Sequence, residues 1–322
     1  MSLPTATPCL LLDKATLLRN CMRMSGQLAK RGVRLRPHMK TAKSAEVARV
    51  ATRGHFGGIT VSTIAEADHF FEHGIRDITY AVGMVAPKLA QAARLARAGC
   101  RLSILTDDLT SIFRIAKAAE KLSARFPVLI EIDCGGERGG IKPTDPSLLK
   151  IAATTINARA LEFEGVLTHG GHAYHATSIA DIREAAEDER TSVVTAVRRL
   201  ADRGIACPVV STGSTPTATY AVNVDGINEM RPGVYMLGDL DQVALGTCVA
   251  ADVAATVLTT VIGHNANAGR IIVDAGALAL SKDAGVARHV AANADAYEAG
   301  FGTVVGDENL FVRDVNQEHG LI

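Results

Sequence analysis

Tryptophan is absent from this sequence and aromatic residues together make up only 4% of it. The interior therefore has to be built from Ala, Val, Ile and Leu, the material of buried parallel strands and their covering helices. Apolar residues at 48% supply enough of it, which favours an α/β fold. An excess of charge is also missing: Lys plus Arg number 34, as do Asp plus Glu. That removes any global electrostatic case for nucleic acid or an anionic membrane and leaves a small molecule as the expected partner. The six cysteines, at 9, 21, 100, 134, 207 and 248, include no C-x-x-C pair, which argues against a zinc ribbon, a thioredoxin motif or a disulfide framework. They read as reduced core residues of a cytoplasmic protein. No apolar run approaches the roughly 18 residues of a membrane helix. The first residues lack a basic stretch followed by an apolar one, so neither membrane spanning nor secretion is expected.

What is present is a rhythm. At 322 residues the chain exceeds a usual single domain, and from Cys9 onward short β-rich runs alternate with helical stretches. Cys9 to Leu12 reads as a first strand, and Asp13 caps a helix that Gly32 stops. Val33 to His38 is the next strand. Gly58 to Ser62, Asp77 to Val82, Arg101 to Leu105, Pro127 to Asp133, Leu161 to Thr168, Pro208 to Ser211 and a short piece near Asn228 to Met230 continue the series. Counted from Val33 to His38, that makes about eight strands before Gly238, which fits a (β/α)8 TIM-like barrel. A doubly wound open sheet is the alternative, but no G-x-G-x-x-G follows the first strand. After Gly238 the texture changes to Val-, Thr- and Ile-rich runs, Ala251 to Ile262 and Arg270 to Asp274. The expected division is a barrel over residues 1–238, its first strand open to sharing, and a smaller mainly-β domain over residues 239–322.

The residues that carry chemistry stand at strand ends, where a barrel builds its active site. In Arg36-Pro37-His38-Met39-Lys40-Thr41, a partly desolvated lysine near other cations becomes a nucleophilic amine that traps carbonyls; a surface lysine is the plain alternative. Glu131-Ile132-Asp133-Cys134-Gly135-Gly136-Glu137-Arg138-Gly139-Gly140 combines an arginine with backbone free to turn sharply. Thr168-His169-Gly170-Gly171-His172-Ala173-Tyr174-His175 offers an imidazole face and a phenol to a planar ring. Three histidines spaced by three also suit a metal, although the steps match neither strand nor helix periods. His69 and His73 sit four apart without the H-E-x-x-H pattern and read as a solvated helix face. Ser211 to Thr217, with Gly233-Val234-Tyr235, supplies N–H groups and hydroxyls suited to a phosphate. Amine, arginine, imidazole with phenol, and anion cradle together describe a pyridoxal 5'-phosphate site.

Here the sequence resembles the alanine racemase-like, fold-type III pyridoxal-phosphate enzymes, in particular the group of D-serine dehydratases, D-threonine aldolases and D-threo-3-hydroxyaspartate dehydratases. The segments that carry the resemblance are Leu35 to Lys43, Gly58 to Ala67, Glu131 to Asp133, Thr168-His169, Val210 to Thr217, Arg231 to Tyr235, Asp274 to Gly276 and Gln317 to Gly320. It implies a barrel plus β domain, usually as a homodimer. It also implies a lyase that acts on small D-3-hydroxy amino acids, with dehydration to keto acid and ammonia preferred over cleavage to glycine and aldehyde. Racemase and non-catalytic cofactor carrier are the further alternatives. On this resemblance Lys40 forms the Schiff base and, once freed, takes the Cα proton. Arg138 lies near the cofactor's phenolic oxygen, His169 stacks on the pyridine and Tyr174 is the nearby phenol. Gly213, Ser214, Thr215, Gly233 and Tyr235 contact the phosphate. A divalent metal, Zn or Mn, is expected from the group. Its His-x-Cys or His-x-Asp ligands would fall after Gly320, beyond Ile322, so no metal residue is assigned and the β domain reads as incomplete. No tyrosine of residues 239–322 is assigned as the second acid/base of a racemase.

Overall fold

The computed structural model describes residues 6–54, 56–136, 138–283 and 300–322. Residues 284–299 of the expected β domain and Glu137 of the glycine-rich loop lie outside it. The chain divides into two units, one of Cys21–Ala176 and Ala180–Tyr235, the other of Met1–Asn20, Thr177–Ile179 and Met236–Ile322.

Eight strands follow β1 (Cys9–Leu12): β2 (Arg34–Leu35), β3 (Ile59–Val61), β4 (Asp77–Gly83), β5 (Arg101–Thr106), β6 (Phe126–Glu131), β7 (Leu161–Leu167), β8 (Val209–Thr212) and β9 (Glu229–Met230). They form one parallel sheet in the order β2-β9-β8-β7-β6-β5-β4-β3. The sheet closes on itself just past β2, where a parallel bridge joins His38 to Thr60. There Met39 N–H donates to Thr60 O at 2.8 Å and Thr60 N–H to Pro37 O at 2.9 Å. The strands are buried on both faces, continuously so in β3 and β8, as parallel strands covered by helices must be. Leu105, Leu129, Leu167 and Val209 pack as an apolar cluster on four successive strands.

The helices α1 (Lys14–Ala29), α2 (Ala45–Ala51), α3 (Ile64–Glu72), α4 (Ala86–Arg97), α5 (Leu109–Lys121), α6 (Ser147–Asn157), α7 (Ile179–Ala201) and α8 (Thr215–Tyr220) alternate with the strands. Side-chain caps start several of them: Ser44 on α2, Thr63 on α3 and Asp108 on α5 each accept an N–H of the first turn, replacing water at orphan donors. Asp13 does the same ahead of α1. In α5, Ile112, Ile115 and Ala119 form the buried stripe, the spacing of a helix with one covered face.

The first strand takes the alternative left open for it in the sequence. β1 is not a barrel strand; it pairs antiparallel with β10 (Ala255–Leu258) in the second unit. Its side chains alternate between half-buried and exposed, with Leu10 68% and Leu12 44% exposed, as in an antiparallel strand with one wet face. Four consecutive apolar or near-apolar residues hide that alternation in the sequence. The rest of the second unit is antiparallel: β11 (Val261–Asn265), β12 (Arg270–Val273), β15 (Asp314–Val315) and β16 (Gly320–Leu321) make a sheet in the order β11-β12-β16-β15. β13 (Thr303–Val304) pairs with β14 (Asp307–Phe311). His69 also differs from its expected solvated role. Its Nε2 is buried without a hydrogen-bond partner among the described residues and its ring lies 4.4 Å from that of His73, centroid to centroid; of the two, His73 is the exposed one.

Gly165 shows how tightly the barrel strands meet. It sits at φ 150°, and a Cβ there would lie 1.9 Å from Val209 O on the neighbouring strand. Gly165→Ala is expected to lower stability by about 3 kcal/mol. Gly263→Ala, whose nearest neighbour would be 3.4 Å away, should change it by about 0.5 kcal/mol or less. Urea-unfolding midpoints of the two variants check this; equal shifts would contradict it.

Candidate active site

Each chemical segment follows the C-terminal end of a barrel strand, so the parallel sheet delivers all of them to one rim. Lys40 comes two residues after the seam at His38, and His38 N–H donates to Pro232 O at 2.9 Å. The segment after β2 is thereby stitched to the segment after β9. The contact is close: a Cβ on Gly233 would lie 2.8 Å from His38 O, which explains glycine there.

Partial desolvation and the charge of Arg138 hold the Lys40 amine below the ordinary lysine value, while Glu66 pulls the other way. The two imidazoles nearby are kept neutral. Burial, followed by the charges of Arg138, Arg231 and Lys40, pulls His169 down to about 3. Burial, followed by the charges of Lys40 and Arg231, holds His38 well below the ordinary imidazole value. Each effect has the sign expected for a base enclosed among positive charges. Tyr174 lies beside His169, ring centroids 6.5 Å apart. Arg138 is exposed at the rim, and it also opposes the burial that raises Glu131. The three-histidine segment forms a short 3-10 turn, Gly171–His175. In it His172 Nε2 is 3.7 Å from Asp188 Oδ2. Among the described residues no three His, Cys, Asp or Glu side chains converge to hold a metal.

On the phosphate side, Gly213 adopts φ 98°, a left-handed turn that glycine takes without strain. Ser214 caps α8 in a reciprocal box with Thr217: Ser214 N–H donates to Thr217 Oγ1 at 2.8 Å and Thr217 N–H to Ser214 Oγ at 3.3 Å. Thr215 Oγ1 accepts the Tyr235 N–H at 3.1 Å, which joins this turn to Gly233-Val234-Tyr235. The Tyr235 hydroxyl is buried with no hydrogen-bond partner among the described residues, and burial drives its pKa far up. A buried hydroxyl left unsatisfied costs stability unless a ligand completes it.

Three residues of the site were not singled out as candidates from the sequence. Besides His38, Arg231 is only 5% exposed. It donates through Nη1 to Ser211 Oγ at 2.5 Å and through Nη2 to Thr168 O. Ser211 in turn donates to Glu229 Oε1 at 2.7 Å, and Arg36 Nε donates to Glu229 Oε2 at 2.8 Å. Burial lowers Arg231 to about 10 against the attraction of Glu229, Glu189 and Glu131, so it stays charged at neutral pH. Among the described residues no carboxylate is in ion-pair contact with it, and a buried cation so placed suits an acceptor on a bound molecule. The third is Glu189, 1% exposed on the buried stripe of α7 between Ala186 and Val193. It accepts the Gly170 N–H at 2.6 Å and the Gly213 N–H at 3.3 Å, tying the imidazole loop to the phosphate turn. An acid at an apolar helix position was the signal available for it.

The donor set fits pyridoxal phosphate on these observations: an amine of lowered basicity, neutral imidazoles, a buried guanidinium lacking an anion, an unpartnered buried phenol and a backbone cradle that excludes a Cβ. Lys40 would bond it, Tyr235 and the Gly213–Thr215 turn would hold its phosphate, and Arg231 would face an acceptor of its ring.

Comparison with known proteins agrees. Residues 12–241 match the family described as "Alanine racemase, N-terminal domain", and residues 254–322 match "Putative serine dehydratase domain". The D-threo-3-hydroxyaspartate dehydratase of Delftia sp. is 41% identical over 98% of this chain and 83% of its own length. Its solved structure superposes with a TM-score of 0.91, again over 98% of this chain and 83% of that one. The D-serine dehydratase of Dictyostelium discoideum is 30% identical over 97% of this chain and 82% of its length. The crystal structure of D-threonine aldolase from Filomicrobium marinum, 25% identical, covers 98% of this chain and 82% of its own with a TM-score of 0.82.

The depressed imidazoles make a pH prediction. Because the folded pKa of His169 lies below the unfolded value, the unfolded chain binds a proton that the folded chain does not. Stability present above about pH 6.5 is then lost as pH falls toward the folded value, by about 1.4 kcal/mol per pH unit for each such proton. In the cofactor-free protein His169→Gln should flatten that slope between pH 6 and pH 4 by about one proton. Urea titrations at several pH values check it; an unchanged slope would contradict the neutral imidazole.

Proposed function

The chain belongs to the alanine racemase-like, fold-type III pyridoxal-phosphate family, and on that premise we propose that it is a lyase converting small D-3-hydroxy amino acids to a keto acid and ammonia. The observation that carries the reading is the Lys40 amine, held below its ordinary basicity beside Arg138 and two neutral imidazoles. The 41% relative named D-threo-3-hydroxyaspartate dehydratase supports dehydration over retro-aldol cleavage. Homodimer assembly and a cytoplasmic setting belong to the same reading. No disulfide joins the cysteines among the described residues, which suits a reducing compartment, and no described helix is long and apolar enough to cross a membrane.

When bound, pyridoxal phosphate supplies the electron sink that lets a proton leave Cα. The chain's own part is positional and acid–base. Lys40 would hold the cofactor, and its amine, when free, would be the base for the Cα proton. Partial burial, followed by the charge of Arg138 at the rim, lowers the basicity of that amine. His169, neutral and backed by Gly170, presents a ring face without adding charge, with Tyr174 next to it. Arg231, fixed by Ser211 and Thr168, holds positive charge at one place, and Glu189 keeps the imidazole loop and phosphate turn in register. Loss of the β-hydroxyl from the substrate then leads, after hydrolysis, to keto acid and ammonia. Hydroxide leaves poorly unaided, so a divalent ion, Zn or Mn, belongs to the proposal, with no residue of this chain assigned to bind it.

Lys40→Ala should abolish the borohydride-sensitive yellow absorbance of the loaded enzyme and lower turnover by about 10³-fold. Incubation with D-serine, D-threonine and D-threo-3-hydroxyaspartate, with added Zn²⁺ and with chelator, should yield keto acid and ammonia that the chelator suppresses. Glycine with an aldehyde would reject dehydration in favour of aldol cleavage, and undiminished colour in Lys40→Ala would reject the site.

A further inference from the structure

Three residues beyond Lys40, Lys43 takes a left-handed backbone conformation, φ 47°, which is costly for a residue with a side chain. Its N–H closes onto Met39 O at 2.9 Å, so Met39 to Lys43 form one closed turn with Lys40 inside it. The Lys43 ammonium lies 3.3 Å from Glu66 Oε1. Glu66 is buried in the first turn of α3 and anchored there. Its Oε2 accepts the Ser62 N–H at 2.8 Å, and its own N–H donates to Thr63 Oγ1 at 3.0 Å. The charged and titratable groups facing Lys40 come from four places: Arg138 after β6, His169 after β7, His38 in its own segment and Glu66 on α3. Glu66 is the acid of that set. A fixed carboxylate beside an amine favours the protonated amine unless another cation takes up its charge.

We propose that Lys43 is a positioning residue for Lys40: by engaging Glu66 at the end of the turn, it keeps that carboxylate from becoming the counter-ion of the reactive amine. The inference rests on the reading of Lys40 as the residue that bonds the cofactor. Glu66 cannot simply be dispensed with, because it satisfies the Ser62 N–H where β3 passes into α3. The chain retains the acid and assigns it a second lysine. A fully exposed pair would do little here, but the Glu66 end of this one is buried, where its charge is poorly screened by water.

The test reads Lys40 without cofactor. Competitive acylation of the cofactor-free full chain with acetic anhydride across pH, followed by mass spectrometry of the Lys40 peptide, gives the free-amine fraction. Lys43→Met should leave roughly three- to tenfold less free amine on Lys40 at neutral pH, and Lys43→Arg should restore it. Glu66→Gln should increase the free-amine fraction, and the double variant Lys43→Met/Glu66→Gln should behave as Glu66→Gln alone. Lys43 is exposed, so its variants should fold, which circular dichroism checks. Uptake of pyridoxal phosphate at pH 7, followed by the rise of yellow absorbance, should slow in Lys43→Met in proportion. A Lys40 titration unmoved by Lys43→Met, or additive damage in the double variant, overturns the proposal. Titrations that move as stated while Lys40 takes up no cofactor support it and refute the cofactor reading instead.

Discussion

Two backbone hydrogen bonds close the barrel, from Met39 to Thr60 and from Thr60 to Pro37, and the rest of the site is organised from that seam. β2 is only two residues long, so closure depends on the Pro37–Met39 stretch running on beside β3. Lys40 is the next residue, fixed from behind by the sheet and open in front. A parallel barrel has one end at which all strands finish. Once the seam is made, the loops after β6, β7, β8 and β9 have no other rim to occupy.

The polar interior beneath that rim follows from the same closure. Arg36, just past β2, meets Glu229 on β9 and Asp77 on β4. Glu229 hands the contact on through Ser211 to Arg231 and so to the carbonyl of Thr168. Burial pulls Arg36 down, but Glu229 and Asp77 outweigh it and raise its pKa. The chain of charge-assisted hydrogen bonds runs from the lower barrel to the rim and ends in the Arg231 guanidinium. Such a network stabilises only when every member is satisfied.

Much of this was legible in the residues, and the limits have physical causes. Strand-end clusters such as Arg36 to Thr41 and Ser211 to Thr217 declare themselves because polar and glycine-rich chemistry interrupts apolar runs at regular intervals. Cys9 to Leu12 deceives, since a run of three leucines reads the same whether its faces are both buried or alternate. Arg231 stood in a recognised segment, yet nothing local says that an arginine before Pro-Gly lies inside the barrel; tertiary packing put it there. Glu189 was detectable in principle as an acid on the covered face of α7, but the glycines it binds are far away in sequence. His69 was read from its spacing alone, which gives the helix face and not what packs against it.

Glu189 has a consequence for how the enzyme can change. By gripping the amides of Gly170 and Gly213 from one rigid helix, it makes two of the rim loops into a single casting. The loop of residues 131–140, which carries Arg138 and hangs from β6 outside that grip, is left as the adaptable part. Divergence in substrate preference should therefore accumulate in that loop, while the casting around α7 passes through evolutionary change nearly unaltered.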